Sequence, residues 1–159
     1  KWNDDGKLDN DPRWSDYSTP PASNANYAWI LHMLSKMERT KGVAGFLLAN
    51  GALGDEDTVA IRQKLIVNDK IEAIVVLPRE LFYTTDISVT LWILNNNKKG
   101  GNWHGRKQRN RENEILFMDL RKMLSMKLTS FREKLKMGHI ILQGTDKFCF
   151  QKVQGKNQE

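Results

Sequence analysis

The most visible chemistry in the chain is a cluster of cations. Lys98, Lys99, Arg106, Lys107, Arg109 and Arg111 follow one another with no acid before Glu112. Ammonium and guanidinium groups at this density contact phosphate oxygens by charge and hydrogen bonding, without reading sequence. Between Lys98 and Lys136 there are 12 Lys/Arg against four Asp/Glu, while the 159-residue chain carries only +6. The excess is therefore local, and the rest of the chain is slightly acidic. A solvated loop and helix face would show the same charge run. Phosphate contact by these six residues is the functional expectation.

Other chemistries lack their residues. His32, His104 and His139 lie far apart, with no cysteine at zinc-ligand spacing. No nucleophile-elbow Gly-x-Ser-x-Gly, dinucleotide Gly-x-Gly-x-x-Gly or phosphate-loop lysine occurs. The single cysteine, Cys149, sits between two phenylalanines and reads as a structural thiol. It has no internal disulfide partner, so a reducing, cytoplasmic setting is expected. Hydrophobic residues make up 40% and charged residues 28%, enough for a core and against a disordered chain. No apolar run approaches the roughly 18 residues of a membrane helix, so no membrane association is expected.

The elements that must carry this loop follow from periodicity. Residues 1–24 are polar, Asp- and Pro-containing and aperiodic, an irregular loop. The spacing of Ile30, Met33, Leu34 and Met37 predicts a helix over 25–38, with Ser23 or Asn24 at its start and Gly42 at its end. Val43–Ala49 is a continuous apolar run and reads as a strand buried on both faces. Residues 55–68 read as a helix with Val59, Ile61, Leu65 and Ile66 inward. Strands are predicted at Ile71–Leu77, stopped by Pro78, and at Ser88–Leu94. The nine-residue loop 79–87 between them is too short for a helical crossover, so they are expected to run antiparallel. Ile115–Asp119 reads as a further short strand, and 120–137 as a basic helix carrying Leu120, Met123, Leu124, Leu128 and Leu135. The fold class is α/β with a mostly parallel sheet.

Four segments, in order and spacing, go further. They are Asn24-Ala25-Asn26-Tyr27-Ala28-Trp29-Ile30-Leu31-His32-Met33-Leu34, Gly45-Phe46-Leu47-Leu48-Ala49-Asn50-Gly51, Ile61-Arg62-Gln63-Lys64-Leu65-Ile66, and Leu77-Pro78-Arg79-Glu80-Leu81-Phe82-Tyr83-Thr84-Thr85-Asp86-Ile87 running into Val89-Thr90-Leu91-Trp92-Ile93-Leu94. Over roughly residues 10–125 the series resembles the modification subunit of type I restriction–modification systems, an adenine-specific DNA N6-methyltransferase using S-adenosylmethionine. The resemblance implies a partial Rossmann-like sheet, mostly parallel, with its last strand antiparallel, followed by a basic C-terminal extension. It divides the chain into a loop over 1–24, the C-terminal half of a methyltransferase domain over 25–96, and a basic loop, helix and divergent tail over 97–159.

The family's cofactor loop and its catalytic tetrapeptide, Asn/Asp-Pro-Pro-Phe/Tyr, are absent from this sequence. Thr19-Pro20-Pro21-Ala22 lacks both the amide or carboxylate and the aromatic, and Asn10-Asp11-Pro12-Arg13 fails as well. With no initiator Met at Lys1, the chain reads as the C-terminal part of the domain, with no catalytic residue of its own, no tight S-adenosylmethionine site and no activity alone. The resemblance also implies that Phe82 or Tyr83 stacks on a flipped adenine, while Pro78, Thr84, Thr85 and Asp86 shape their loop. The implied partners are duplex DNA, contacted at its backbone by the six cations, and the specificity and restriction subunits. The alternative reading is a non-catalytic nucleic-acid-binding α/β module.

Overall fold

Three apolar runs, each closed by a residue that disfavours further extension, become the strands around which the rest assembles. A computed structural model of the chain describes residues 2–79, 81–82, 86–103, 105–121 and 149–152. Tyr83, Thr84, Thr85, His104, and nearly all of the expected helix and tail lie outside the described residues. β1 is Val43–Ala49, β2 Ile71–Val76 and β3 Val89–Asn95. A small hairpin follows, β4 at Gly101–Trp103 and β5 at Arg106–Gln108. Then come β6 at Glu114–Asp119 and β7 at Cys149–Lys152. The main sheet has the order β1-β3-β2-β6-β7, and β4-β5 form a separate two-stranded ribbon.

The antiparallel expectation for β2 and β3 holds, with Val75 opposite Leu91 and Ile74 opposite Trp92. β3 is antiparallel to β1 as well, so it lies between two strands that point the other way. β2 and β6 form the parallel pair. The chain is thus a mixed α/β sheet in which β1, β2 and β6 share one direction.

β1 is not buried on both faces as its apolar run suggested. Its residues alternate between exposed and half-buried along the strand. Within the described residues its other edge has no strand partner, and Val43 and Leu47 are exposed. A continuous apolar run cannot distinguish a central strand from one at an edge, because both lack polar alternation.

Helices cover one face of the sheet. α1 spans Asn26–Lys36 and α2 spans Val59–Val67, entered through a short 3-10 turn at Glu56–Thr58. Asn24 does serve the start of α1, its Oδ1 accepting from the Asn26 N–H at 3.0 Å. The helix buries Tyr27, Ala28, Ile30 and Leu31. This rotates the apolar stripe from its predicted position, leaving Met33 exposed. Tyr27 decides the rotation, because its hydroxyl donates to the Ala52 carbonyl at 2.7 Å inside the core. In α2, Ile61 and Leu65 are buried but Val59 is exposed, contrary to its expected inward position. Gly42 is required after α1. A Cβ there would lie 2.5 Å from the Glu38 carbonyl oxygen.

The segment before α1 is ordered against this layer. Trp2 and Trp14 meet edge-to-face at 5.8 Å, and Trp14 is buried in the same cluster as Tyr27, Leu65 and Trp92. The indole N–H of Trp14 donates to Leu8, and that of Trp2 to Pro21. A second, smaller cluster of Val75, Leu77 and Val89, joined by Leu81, Leu91, Met118 and Leu120, occupies another part of the sheet.

Candidate functional site

The topology sets the two candidate regions at opposite ends of the sheet. Where β1 and β2 finish and β3 begins, the ends are tied together. Asn50 N–H donates to the Ser88 carbonyl, Leu77 N–H to Val89, and the Ser88 hydroxyl to Leu77. The loop beginning at the buried Pro78 leaves from this end. Ligands of open α/β sheets bind beyond the carboxyl ends of parallel strands. Phe82 stands 44% exposed there, and Ile87 is also exposed. Phe82 thus leaves a large part of its ring open to solvent, whereas Trp92 and Tyr27 are buried.

The neck of this loop is closed by charge. Arg79 donates from Nε to Asp86 Oδ1 at 2.9 Å and from Nη2 to Oδ2 at 2.6 Å, a bidentate pair. The Arg79 hydrogen bond holds the Asp86 carboxyl below its ordinary range. Asp86 was expected to shape the loop; Arg79 was not foreseen. Its signal was available only as an Arg and an Asp seven residues apart, flanking a strand-to-strand connection.

The opposite end holds the basic residues, and the six separate into different roles. Lys98 is 3% exposed. Its ammonium is bonded to the Asp69 carboxylate, to the Ile71 carbonyl at 2.9 Å and to the Glu114 carbonyl at 2.8 Å. Three donors meet three acceptors, so none remains for a phosphate. Lys98 is therefore corrected from a backbone contact to a buried tie between the starts of β2 and β6. Arg111 is corrected in the same way. It is largely buried and donates to Glu72 at 2.6 Å, to Gln108 at 2.9 Å and to the Asn97 carbonyl at 3.3 Å. Arg109 is half-exposed and ion-paired to Glu114 at 2.6 Å.

Lys99, Arg106 and Lys107 are exposed. Lys99 is 4.0 Å from Glu112, with its side chain 86% accessible. Arg106 and Lys107 lie on β5, opposite Trp103 and Asn102 of β4. Gly100 permits the ribbon to leave the sheet. Its φ is +87°, and a Cβ would come within 2.9 Å of the Arg109 backbone. The sequence could not separate Lys98 and Arg111 from the others, because their partners Asp69 and Glu72 lie about thirty to forty residues earlier.

The two proline-containing tetrapeptides near the start, Asn10–Arg13 and Thr19–Ala22, make local structural bonds. Asp11 accepts from the Arg13 N–H at 2.9 Å and from its guanidinium at 2.7 Å, which lowers its carboxyl to about 2. Arg13 also reaches His32 Nδ1 at 3.0 Å, and its guanidinium lies 4.6 Å from the centroid of the Trp14 ring. The Thr19 hydroxyl donates to Asp9, and Pro20 is buried. No group of three potential metal ligands occurs among the described residues. No helix among them is long and apolar enough to cross a membrane.

The pattern that defines N-6 DNA methylases matches residues 1–157. The chain belongs to the N-6 DNA methylase family. It is 39% identical over 128 residues to the HindI type I restriction enzyme methylase subunit of Haemophilus influenzae, covering 79% of this chain and 26% of that one. It is 42% identical over 80 residues to the MjaIX methylase subunit of Methanocaldococcus jannaschii, covering 50% of this chain and 14% of that one. Its fold is similar to the crystal structure of a type I methyltransferase subunit from Streptococcus thermophilus. That match has a TM-score of 0.60 at 25% identity over 89% of this chain and 29% of that one. The chain therefore spans between about a seventh and less than a third of the length of these relatives. The antiparallel β3 between β1 and β2 agrees with the methyltransferase sheet that the resemblance implied.

Proposed function

We propose that this chain forms the C-terminal part of the catalytic domain of a type I DNA adenine N6-methyltransferase. In the intact enzyme a methyl group passes from S-adenosylmethionine to an adenine flipped out of the duplex. The observation that carries the reading is Phe82, exposed on a clamped loop at the carboxyl end of β1 and β2. A flipped base needs a stacking surface, and Phe82 supplies one; Tyr83 is the second candidate from the sequence. Pro78, Thr84 and Thr85 shape that loop. The cofactor loop and catalytic tetrapeptide come from outside this sequence, so the chain alone transfers no methyl group. The three proposed segments, over 1–24, 25–96 and 97–159, are a linking loop, the half domain and a basic extension. Specificity and restriction subunits complete the assembly.

The test uses a type I methylase subunit carrying this stretch in place of the homologous stretch of the HindI subunit, assembled with its specificity subunit. Phe82→Ala is expected to reduce methyl transfer from labelled S-adenosylmethionine by one to two orders of magnitude, the factor for losing about 1–3 kcal/mol of base stacking. The fluorescence rise of 2-aminopurine at the target position should fall with it. Unchanged transfer and fluorescence would overturn the reading, as would an inactive unsubstituted chimera.

Lys99, Arg106 and Lys107 are the phosphate-contacting cations of this proposal. They lie roughly 20 Å from the Phe82 loop along the seven residues of β3. One helical turn of duplex is about 34 Å, longer than that separation. Replacing the three by Ala should lower the salt dependence of duplex binding by up to about 0.9 in log–log slope per lost phosphate contact. An unchanged slope would remove the ribbon from the DNA interface. With Lys98 and Arg111 committed to structure, the alternative of a purely basic binding module keeps fewer of its residues.

A further inference from the structure

We propose that Arg79 and Asp86 are a positioning pair that aims Phe82 at the target base, so that the ion pair acts on catalysis through the aromatic. The proposal rests on the reading of Phe82 as a stacking residue. Backbone pairing between β2 and β3 ends at Leu77 and Val89, where the Leu77 N–H meets the Val89 carbonyl at 2.9 Å. Beyond that point the chain must cross from one strand to the next. The Arg79–Asp86 pair closes the neck again two residues after Leu77 and three before Val89, and Phe82 lies within the shortened loop.

The pair suits such a duty better than a stabilising one. Both side chains are more than half exposed, at 68% and 56%. Exposed ion pairs contribute little to folding, yet this one is bidentate, which fixes the guanidinium plane against the carboxylate. Because Arg79 also holds the Asp86 carboxyl below its ordinary range, the pair stays charged throughout neutral and mildly acidic pH. Catalysis is sensitive to placement, since a shift of about 1 Å in a positioned group can cost a hundredfold in rate. Restricting the neck removes conformations in which Phe82 points away from an extruded base.

The experiment uses the same assembled chimeric enzyme. Arg79→Ala and Asp86→Ala should each lower kcat about tenfold, with KM for duplex DNA changed less than twofold and 2-aminopurine fluorescence reduced. The exchanged pair, Arg79→Asp with Asp86→Arg, should recover most of the loss. Arg79→Ala combined with Phe82→Ala should be no slower than Phe82→Ala alone, because the pair then has nothing left to aim. Losses that multiply in that double variant would show a role independent of Phe82 and overturn the proposal. So would normal kcat in both single variants while Phe82→Ala is impaired. A silent Phe82→Ala would instead overturn the stacking reading itself, and the positioning role with it.

Discussion

Replacing Lys98 by Ala is expected to lower folding stability by about 3–5 kcal/mol, the cost of breaking a buried ion pair from one side. The ammonium is 3% exposed and is the shared partner of the Asp69 carboxylate and of the Ile71 and Glu114 carbonyls. Removing it strands all three acceptors, and an unpaired buried acceptor costs its full desolvation. The Asp69 carboxylate keeps part of its surface in water, its side chain being 23% exposed, so the two carbonyls carry most of the loss. Urea unfolding followed by tryptophan fluorescence measures the effect. Lys98→Met with Asp69→Asn should recover a large part, because a neutral pair of similar volume carries no stranded charge. Lys99→Ala, one residue away and exposed, should stay within about 0.5 kcal/mol. A loss at Lys98 no larger than that at Lys99 would show Lys98 to be a surface cation after all.

Trp92→Ala should be comparably severe, about 3–5 kcal/mol. Trp92 is 1% exposed at the middle of β3, between β1 and β2. Its ring meets Tyr27 edge-to-face at 5.9 Å, and its indole N–H donates to the Thr90 hydroxyl at 3.0 Å. Truncation opens a cavity between the sheet and α1, and it removes the surface against which Tyr27 is held beneath its bond to Ala52. Trp92→Phe retains most of the volume and the edge-to-face contact, and should lose less than half as much. Thermal unfolding of the two variants decides the order. Equal losses would mean that the indole N–H bond, rather than the ring, carries the site.

The limits of the sequence reading follow from the range over which its signals act. Val43–Ala49 was legible because Gly42 and Asn50-Gly51 bracket an apolar run, and β2 ended near Pro78 for an equally local reason. The antiparallel β3 was legible because nine residues cannot make a crossover. By contrast, β1 looked fully buried, and the apolar stripe of α1 included the exposed Met33 and missed the buried Tyr27 and Leu31. Both depend on which partner each element meets: Tyr27 turns its hydroxyl into the core, and among the described residues no strand pairs with the outer edge of β1. Phe82 was singled out from family resemblance, because no periodicity or spacing marks it. Arg79, which closes the same loop, was passed over because a lone arginine beside a turn carries no periodic signal.

By itself the sequence determined the types and approximate places of α1, α2, β1, β2, β3 and β6, the membership of the methylase family, and the concentration of positive charge after β3, but not the β4–β5 ribbon or β7. Those properties are local or statistical, and they survive in any arrangement of the elements. Only the tertiary structure decided what each charge does. It folded Asp69 and Glu72 back against Lys98 and Arg111, turning two of six apparent phosphate contacts into internal ties. It also set Phe82 and the basic ribbon at opposite ends of one sheet. The physical reason is that a buried cation must find its acceptors in space, and distance along the chain does not report distance in space.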